Sequence, residues 1–225
     1  MRELYEFLSG TGVWIAFVVF TGGLLARLAF LAGLSRERDK VVYNHFDGGW
    51  AWRSILHWLL PLGSVSFRQQ PLFGIAFWVF HAGLLVTPLF LGAHNQLFAE
   101  AFGWSLPTLP DRLADWMTIA VMAAIVFLFA RRLARPEVRI LSTAWDYALL
   151  IIVLAPFLTG FLAYRQIGPY ELMLNLHLLT GEVMLVVIPF SKLGHLILFF
   201  FTRAFIGSDM GARRAIEGRL GARTW

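Results

Sequence analysis

Five stretches of this 225-residue chain are apolar for so long that only a bilayer suits them as solvent. A hydrocarbon core about 30 Å thick is crossed by roughly 20 helical residues. Runs of that order occupy residues 8–33, 71–95, 112–134, 143–164 and 172–202. In lipid each backbone amide must be satisfied within the segment, so these runs are expected to be helices. Residues 49–62 are apolar but too short to cross. With Trp50, Trp52 and Trp58 they read as a helix lying in the interface. The expected fold is therefore an all-α membrane protein, one integral domain over 1–225 with five transmembrane helices and one interfacial helix. Composition agrees, because 58% of residues are hydrophobic and 15% charged, whereas soluble domains are nearer half and a quarter. Soluble-enzyme, disordered and nucleic-acid-binding classes drop out.

The net charge of +5 then has a use other than binding nucleic acid. Of the 19 Lys and Arg residues, only Arg2, Arg112 and Arg165 fall in one set of loops, and the other 16 lie at the opposite ends of the spans. The positive-inside rule puts that basic side in the cytoplasm, giving an outside N-terminus and a cytoplasmic C-terminus. No small-residue cleavage site follows the first apolar run, so no cleaved signal peptide is expected.

The six histidines are the chain's imidazole ligands, and there are no cysteines. His177 and His195 are 18 residues apart, five turns of an uninterrupted helix and about 27 Å along its axis. His81 and His94 are 13 apart, about 20 Å. Spans two and five run in opposite directions, so His81 falls level with His195 on the cytoplasmic side and His94 level with His177 on the outer side. Two levels of facing imidazoles suit two six-coordinate haems held inside a bundle. Without cysteine for thioether attachment the haems are of b type. In an ideal helix, 13 residues turn His94 away from the face of His81, and Pro88 between them is expected to change the helical phase.

The C-terminal half carries a further pattern: Arg131-Arg132-Leu133, Arg135-Pro136-Glu137-Val138-Arg139, Asp146, His177-Leu178, and Pro189-Phe190-Ser191-Lys192-Leu193-Gly194-His195, with Phe80-His81-Ala82-Gly83 in span two. It resembles the gamma subunit of membrane-bound respiratory nitrate reductase over roughly residues 75–200. That family also includes cytochrome b subunits of sulfate-reducer electron-transfer complexes, of the high-molecular-weight-cytochrome and Dsr types, and of heterodisulfide-reductase-like complexes. The second histidine of span two comes three residues later than in the nitrate reductase subunit, and residues 35–67 have no clear counterpart. The resemblance implies a five-helix dihaem cytochrome in the prokaryotic inner membrane. It implies electron exchange between quinone, with menaquinone the expected type, and an iron–sulfur subunit on the cytoplasmic side, within a complex containing further membrane or periplasmic subunits. It places the quinone beside the outer haem, where Arg112, Trp104, Asp115 and Arg165 are the leading candidates and Glu100, Tyr164 and Glu171 lie nearby.

Lys192, three residues before His195, is expected near a haem propionate. Glu182 lies midway between two histidines of its span, and an intramembrane acid is a proton-path candidate. Asp146 is expected to cap span four or to pair with an arginine. His45 and His57 read as interfacial histidines. The basic rim, including Arg131, Arg132, Arg135, Arg203 and Arg213, suits an acidic partner surface or anionic lipid. Two rival readings remain at this point: a haem-free membrane anchor subunit, and a small proton-coupled transporter using Glu182.

Overall fold

A computed structural model describes the backbone of residues 2–61 and 65–219 and the side chains of 2–61 and 67–211. It is all-helical, 87% helix, with no strand among the described residues. The helices are α1 (Arg2–Phe7), α2 (Val13–Arg38), α3 (Lys40–Asn44), α4 (Gly48–Leu59), α5 (Val65–Gln69), α6 (Pro71–Phe90), α7 (Gly92–Phe102), α8 (Asp111–Ala134), α9 (Pro136–Arg139), α10 (Ala144–Tyr164), α11 (Tyr170–Val187) and α12 (His195–Arg219). A π-helical turn, Leu8–Gly12, joins α1 to α2.

Six of the described helical stretches, not five, are long and apolar enough to cross a membrane: Arg2–Arg38, Pro71–Phe90, Asp111–Ala134, Ala144–Tyr164, Tyr170–Phe190 and Lys192–Gly211. The expected fifth span over 172–202 is broken, and with it the argument that five unbroken turns set His177 and His195 on one face. Pro189 lies in a 3₁₀ turn (Ile188–Phe190), Ser191 is extended at φ −124°, ψ −174°, and a second 3₁₀ turn (Lys192–Gly194) precedes α12. The 21 residues of Tyr170–Phe190 rise roughly 31 Å as a helix, so the break falls where a crossing is already complete. Span two is also interrupted: Leu91, at φ −71°, ψ 133°, separates α6 from α7. The interfacial helix runs over Gly48–Leu59, within three residues of its expected bounds.

The chain forms two compact units, one of residues 1–10 and 72–184, the other of residues 11–71 and 185–225. In the first, α6 and α8 run antiparallel. The Arg131 guanidinium lies 4.3 Å from the Phe73 ring centroid at one end, Gly83 receives the Val121 side chain in the middle, and the Leu109 amide donates to the Phe90 carbonyl (2.8 Å) at the other. A Cβ on Gly83 has no room, so glycine here sets how closely the two helices approach. Helix α10 packs beside α8, with the Tyr147 hydroxyl donating to the Arg132 carbonyl (3.2 Å) and its ring edge-on to Phe129. Asp146 caps α10 as expected, accepting from the Thr143 amide (2.8 Å) and hydroxyl (2.9 Å) in a capping box.

In the second unit, α4 lies on α12 through small residues. Asp47 caps α4 by accepting from the Trp50 amide (3.0 Å), and its own amide donates to the Ser208 hydroxyl (2.7 Å). Ala51, Ser54 and Ile55 are the buried residues of α4. A Cβ on Gly207 would lie 2.7 Å from the Trp50 carbonyl and 3.1 Å from the Ala51 Cα; on Gly211 it would lie 2.6 Å from the Trp50 side chain. Gly207 and Gly211, four apart on one face of α12, therefore form the seat for α4. Replacing Gly207 by Val is expected to destabilise this contact by about 1–3 kcal/mol, seen as a lower thermal unfolding midpoint in detergent; an unchanged midpoint would rule the seat out.

Candidate functional site

The break after α6 determines where His94 goes. A helix leaves its last four carbonyls without intrahelical partners, and in lipid each needs a substitute. Three of those of α6 are supplied from nearby. The Phe90 carbonyl takes the Leu109 amide, the Leu89 carbonyl takes the Asn95 side-chain amide at 2.9 Å, and the Pro88 carbonyl takes the His94 Nδ1–H at 2.9 Å. Asn95, 2% exposed, also donates to the Leu91 carbonyl (3.2 Å) and accepts from the Leu106 amide (2.8 Å). Pro88 stays within α6 and is not where the helical phase changes; the change comes three residues later, at Leu91, and is held by Asn95.

His177 reaches the same place from α11. Its Nδ1–H donates to the Pro156 carbonyl on α10 (2.9 Å), and Gly160 leaves the room for its ring: a Cβ there would lie 2.7 Å from Nδ1 and 2.8 Å from Cε1. A hydroxyl contact between Thr159 and Thr180, 3.3 Å, holds the same pair of helices one turn on. The His94 and His177 rings are 5.8 Å apart between centroids and 17° from parallel. The outer pair expected from the sequence is thus brought together within one unit.

His81 and His195 share one local feature with this pair. His81 donates its Nδ1–H to the Phe77 carbonyl (2.8 Å) and packs on the Phe77 and Phe80 rings. His195 donates to the Lys192 carbonyl (2.9 Å). In all four, the bond at Nδ1 selects the tautomer whose basic nitrogen is Nε2, the arrangement that orients a metal-ligating imidazole. Two imidazoles on opposite sides of one metal at about 2 Å each place their centroids roughly 6 Å apart. The His94–His177 separation of 5.8 Å is compatible with that spacing. The donor set fits a haem iron, which needs two protein ligands. No group of three or more metal-ligating side chains occurs among the described residues.

The polar residues proposed around the outer pair are partly engaged with one another. Arg165 at the end of α10 forms a 2.6 Å ion pair with Asp115 on α8 and lies over the Phe161 and Tyr164 rings. Trp104 is exposed and packs on Phe98 at 6.3 Å. Arg112 is exposed at the start of α8. Glu100 accepts from the Gln96 side chain (3.1 Å). Glu182 holds a buried Oε1 with no hydrogen-bond partner. Of the basic rim, Arg132 donates to the Ser142 hydroxyl (2.8 Å) and the Arg203 guanidinium lies 4.2 Å from the Trp58 ring centroid; the side chain of Arg213 lies outside the described residues. His57 stacks edge-on against Trp58, and burial, then the charge of Arg68, holds its protonation below the ordinary imidazole range.

Asn95 and Gly160 organise the outer pair and were not singled out from the sequence. The available signal was weak: a glycine four residues after Pro156 in an apolar run, and an asparagine beside a histidine at the end of another.

These helices define a multi-pass helical membrane protein. No protein-family model matches the chain. A protein of Nitratidesulfovibrio vulgaris strain Hildenborough, described simply as "Protein", is 44% identical over 226 residues, covering 99% of this chain and 100% of its own length. The chain belongs to the same family as that protein.

Proposed function

We propose that this chain is a dihaem membrane cytochrome b that passes electrons between quinone, with menaquinone the expected type, and an iron–sulfur partner on the cytoplasmic side. The observation that carries the reading is the His94–His177 pair: near-parallel rings, 5.8 Å apart, each with Nδ1 tied to a carbonyl. His94 and His177 would hold one haem. His81 with His195, paired on the sequence, would hold the second. When bound, haem supplies one-electron transfer. The protein's part would be to orient four Nε2 atoms through four carbonyl bonds, the contacts behind the ligands by which a protein tunes an iron.

The quinone end is assigned to the loops around Arg112, Trp104, Asp115 and Arg165. The Arg165–Asp115 pair braces α8 against α10 there, and Arg112 is the cation beside it. Glu182 is the proposed proton path, supported by its unpartnered buried oxygen. Lys192 is the proposed propionate partner. The reading takes five crossings, with Tyr170–Phe190 as the fifth and the basic ends of the spans in the cytoplasm of a prokaryote. An even number of crossings would instead return the C-terminus to the side of the N-terminus. With no cysteine, the chain leaves cluster chemistry to its partner.

The test is an optical spectrum of the purified chain, oxidised and then dithionite-reduced. A b-type α-band with two haems per chain is expected. A colourless preparation would overturn the reading and leave the anchor and transporter alternatives.

A further inference from the structure

The break between α11 and α12 is closed by a residue from far away in the sequence. Arg27 follows an uncharged run over residues 7–26 on the first helical stretch. Its Nη1 donates to the Pro189 carbonyl at 2.8 Å and to the Ser191 carbonyl at 2.7 Å. The Pro189 carbonyl lies in the last turn before the break, at the partially negative end of the stopped helix, and the Ser191 carbonyl at the N-cap of the next 3₁₀ turn, so one guanidinium donates to an acceptor on each side of the break. The receiving surface is shaped for it. Pro189 is almost fully buried and its ring sits on Gly23, where a Cβ would lie 2.8 Å from the Pro189 Cβ; on Gly194 a Cβ would lie 2.5 Å from the Arg27 Nη1.

The residues from the clamped Ser191 carbonyl to His195 are tied by short-range bonds of their own. The Ser191 carbonyl also accepts the Gly194 amide (3.2 Å), the Ser191 hydroxyl oxygen accepts the Leu193 amide (3.1 Å), and the Lys192 carbonyl accepts the His195 Nδ1–H (2.9 Å). Ser191 is 6% exposed, so these partners cannot be replaced readily by water. All of these residues belong to one compact unit.

We infer that Arg27 is a positioning residue: by clamping the Pro189 and Ser191 carbonyls it holds the break in one geometry and so sets the orientation of the His195 imidazole toward its haem. The part concerning haem rests on the cytochrome reading above; the clamp itself does not. Lysine is a poor substitute: both bonds leave Nη1, whose two N–H directions are fixed in the guanidinium plane, whereas a lysine ammonium is a rotatable point charge on a shorter stem.

The test uses the full chain in detergent, with the haem signal lost in His195→Ala marking which electron paramagnetic resonance signal belongs to His195. In Arg27→Met, amide hydrogen exchange at residues 191–195 is expected to be about tenfold or more faster, from the loss of hydrogen bonds to a charged group. The His195 haem signal should shift while the other keeps its position, and Arg27→Lys should restore the shift only in part. Gly23→Val, which displaces Pro189 and leaves the charge in place, should reproduce both changes. Unchanged exchange in Arg27→Met and Gly23→Val would overturn the clamp. Faster exchange with an unmoved His195 signal would overturn the positioning role. Should the unaltered chain hold no haem, the cytochrome reading fails and exchange alone decides the clamp.

Discussion

Replacing His177 by Ala removes one haem and spares the other. The expected haem content falls from two to about one per chain, because a b-type haem is held by axial ligation and packing alone. The same result is expected for His94→Ala, since the two rings form one pair at 5.8 Å. The two variants should lose the same signal in a redox titration and keep the same remaining one. Haem content that stays at two in either variant would break the pair. Loss of different haems in the two variants would assign His94 and His177 to separate sites.

The second large effect is expected at a residue with no chemistry of its own. Gly160→Val places methyl groups where the His177 ring lies, since even a Cβ would meet Nδ1 at 2.7 Å and Cε1 at 2.8 Å. The ring must leave the Pro156 carbonyl to make room. Losing that hydrogen bond costs about 0.5–1.5 kcal/mol, and overpacking adds about 1–3 kcal/mol. At tenfold per 1.4 kcal/mol, haem retention at the outer pair should weaken on the order of a hundredfold. Gly181→Val is the matched control: it changes α11 itself, but a Cβ there meets nothing within 4 Å. Haem loss in the first variant and none in the second is the expected readout of a titration at limiting haem. Equal retention in both would mean that the fit of His177 against α10 does not hold the cofactor.

These two variants also separate what local pattern reveals from what packing decides. His177 was legible because a histidine in a long apolar run has few ordinary reasons to be there. Gly160 was not, because an α10 glycine reads from sequence as a mere absence of side chain, and its meaning comes from the ring that α11 puts against it. The same holds for Arg27, which reads as the first cation after a crossing and is in fact the partner of two carbonyls more than 160 residues away.

The sequence by itself determined the all-helical class, the membrane as solvent and most of the span positions, because these follow from backbone satisfaction in lipid and from the length of apolar runs. It also located the capping of α10 by Asp146, whose partner Thr143 is three residues away. Only the tertiary structure decided where helices stop. A run of apolar residues carries no mark distinguishing one long helix from two shorter ones, so 71–95 and 172–202 read as continuous. Their breaks at Leu91 and Ser191 exist because Asn95, His94 and Arg27 supply the hydrogen bonds that the interrupted helices give up. In an apolar solvent a broken helix is tolerated only where such donors arrive, and their arrival is a property of the fold.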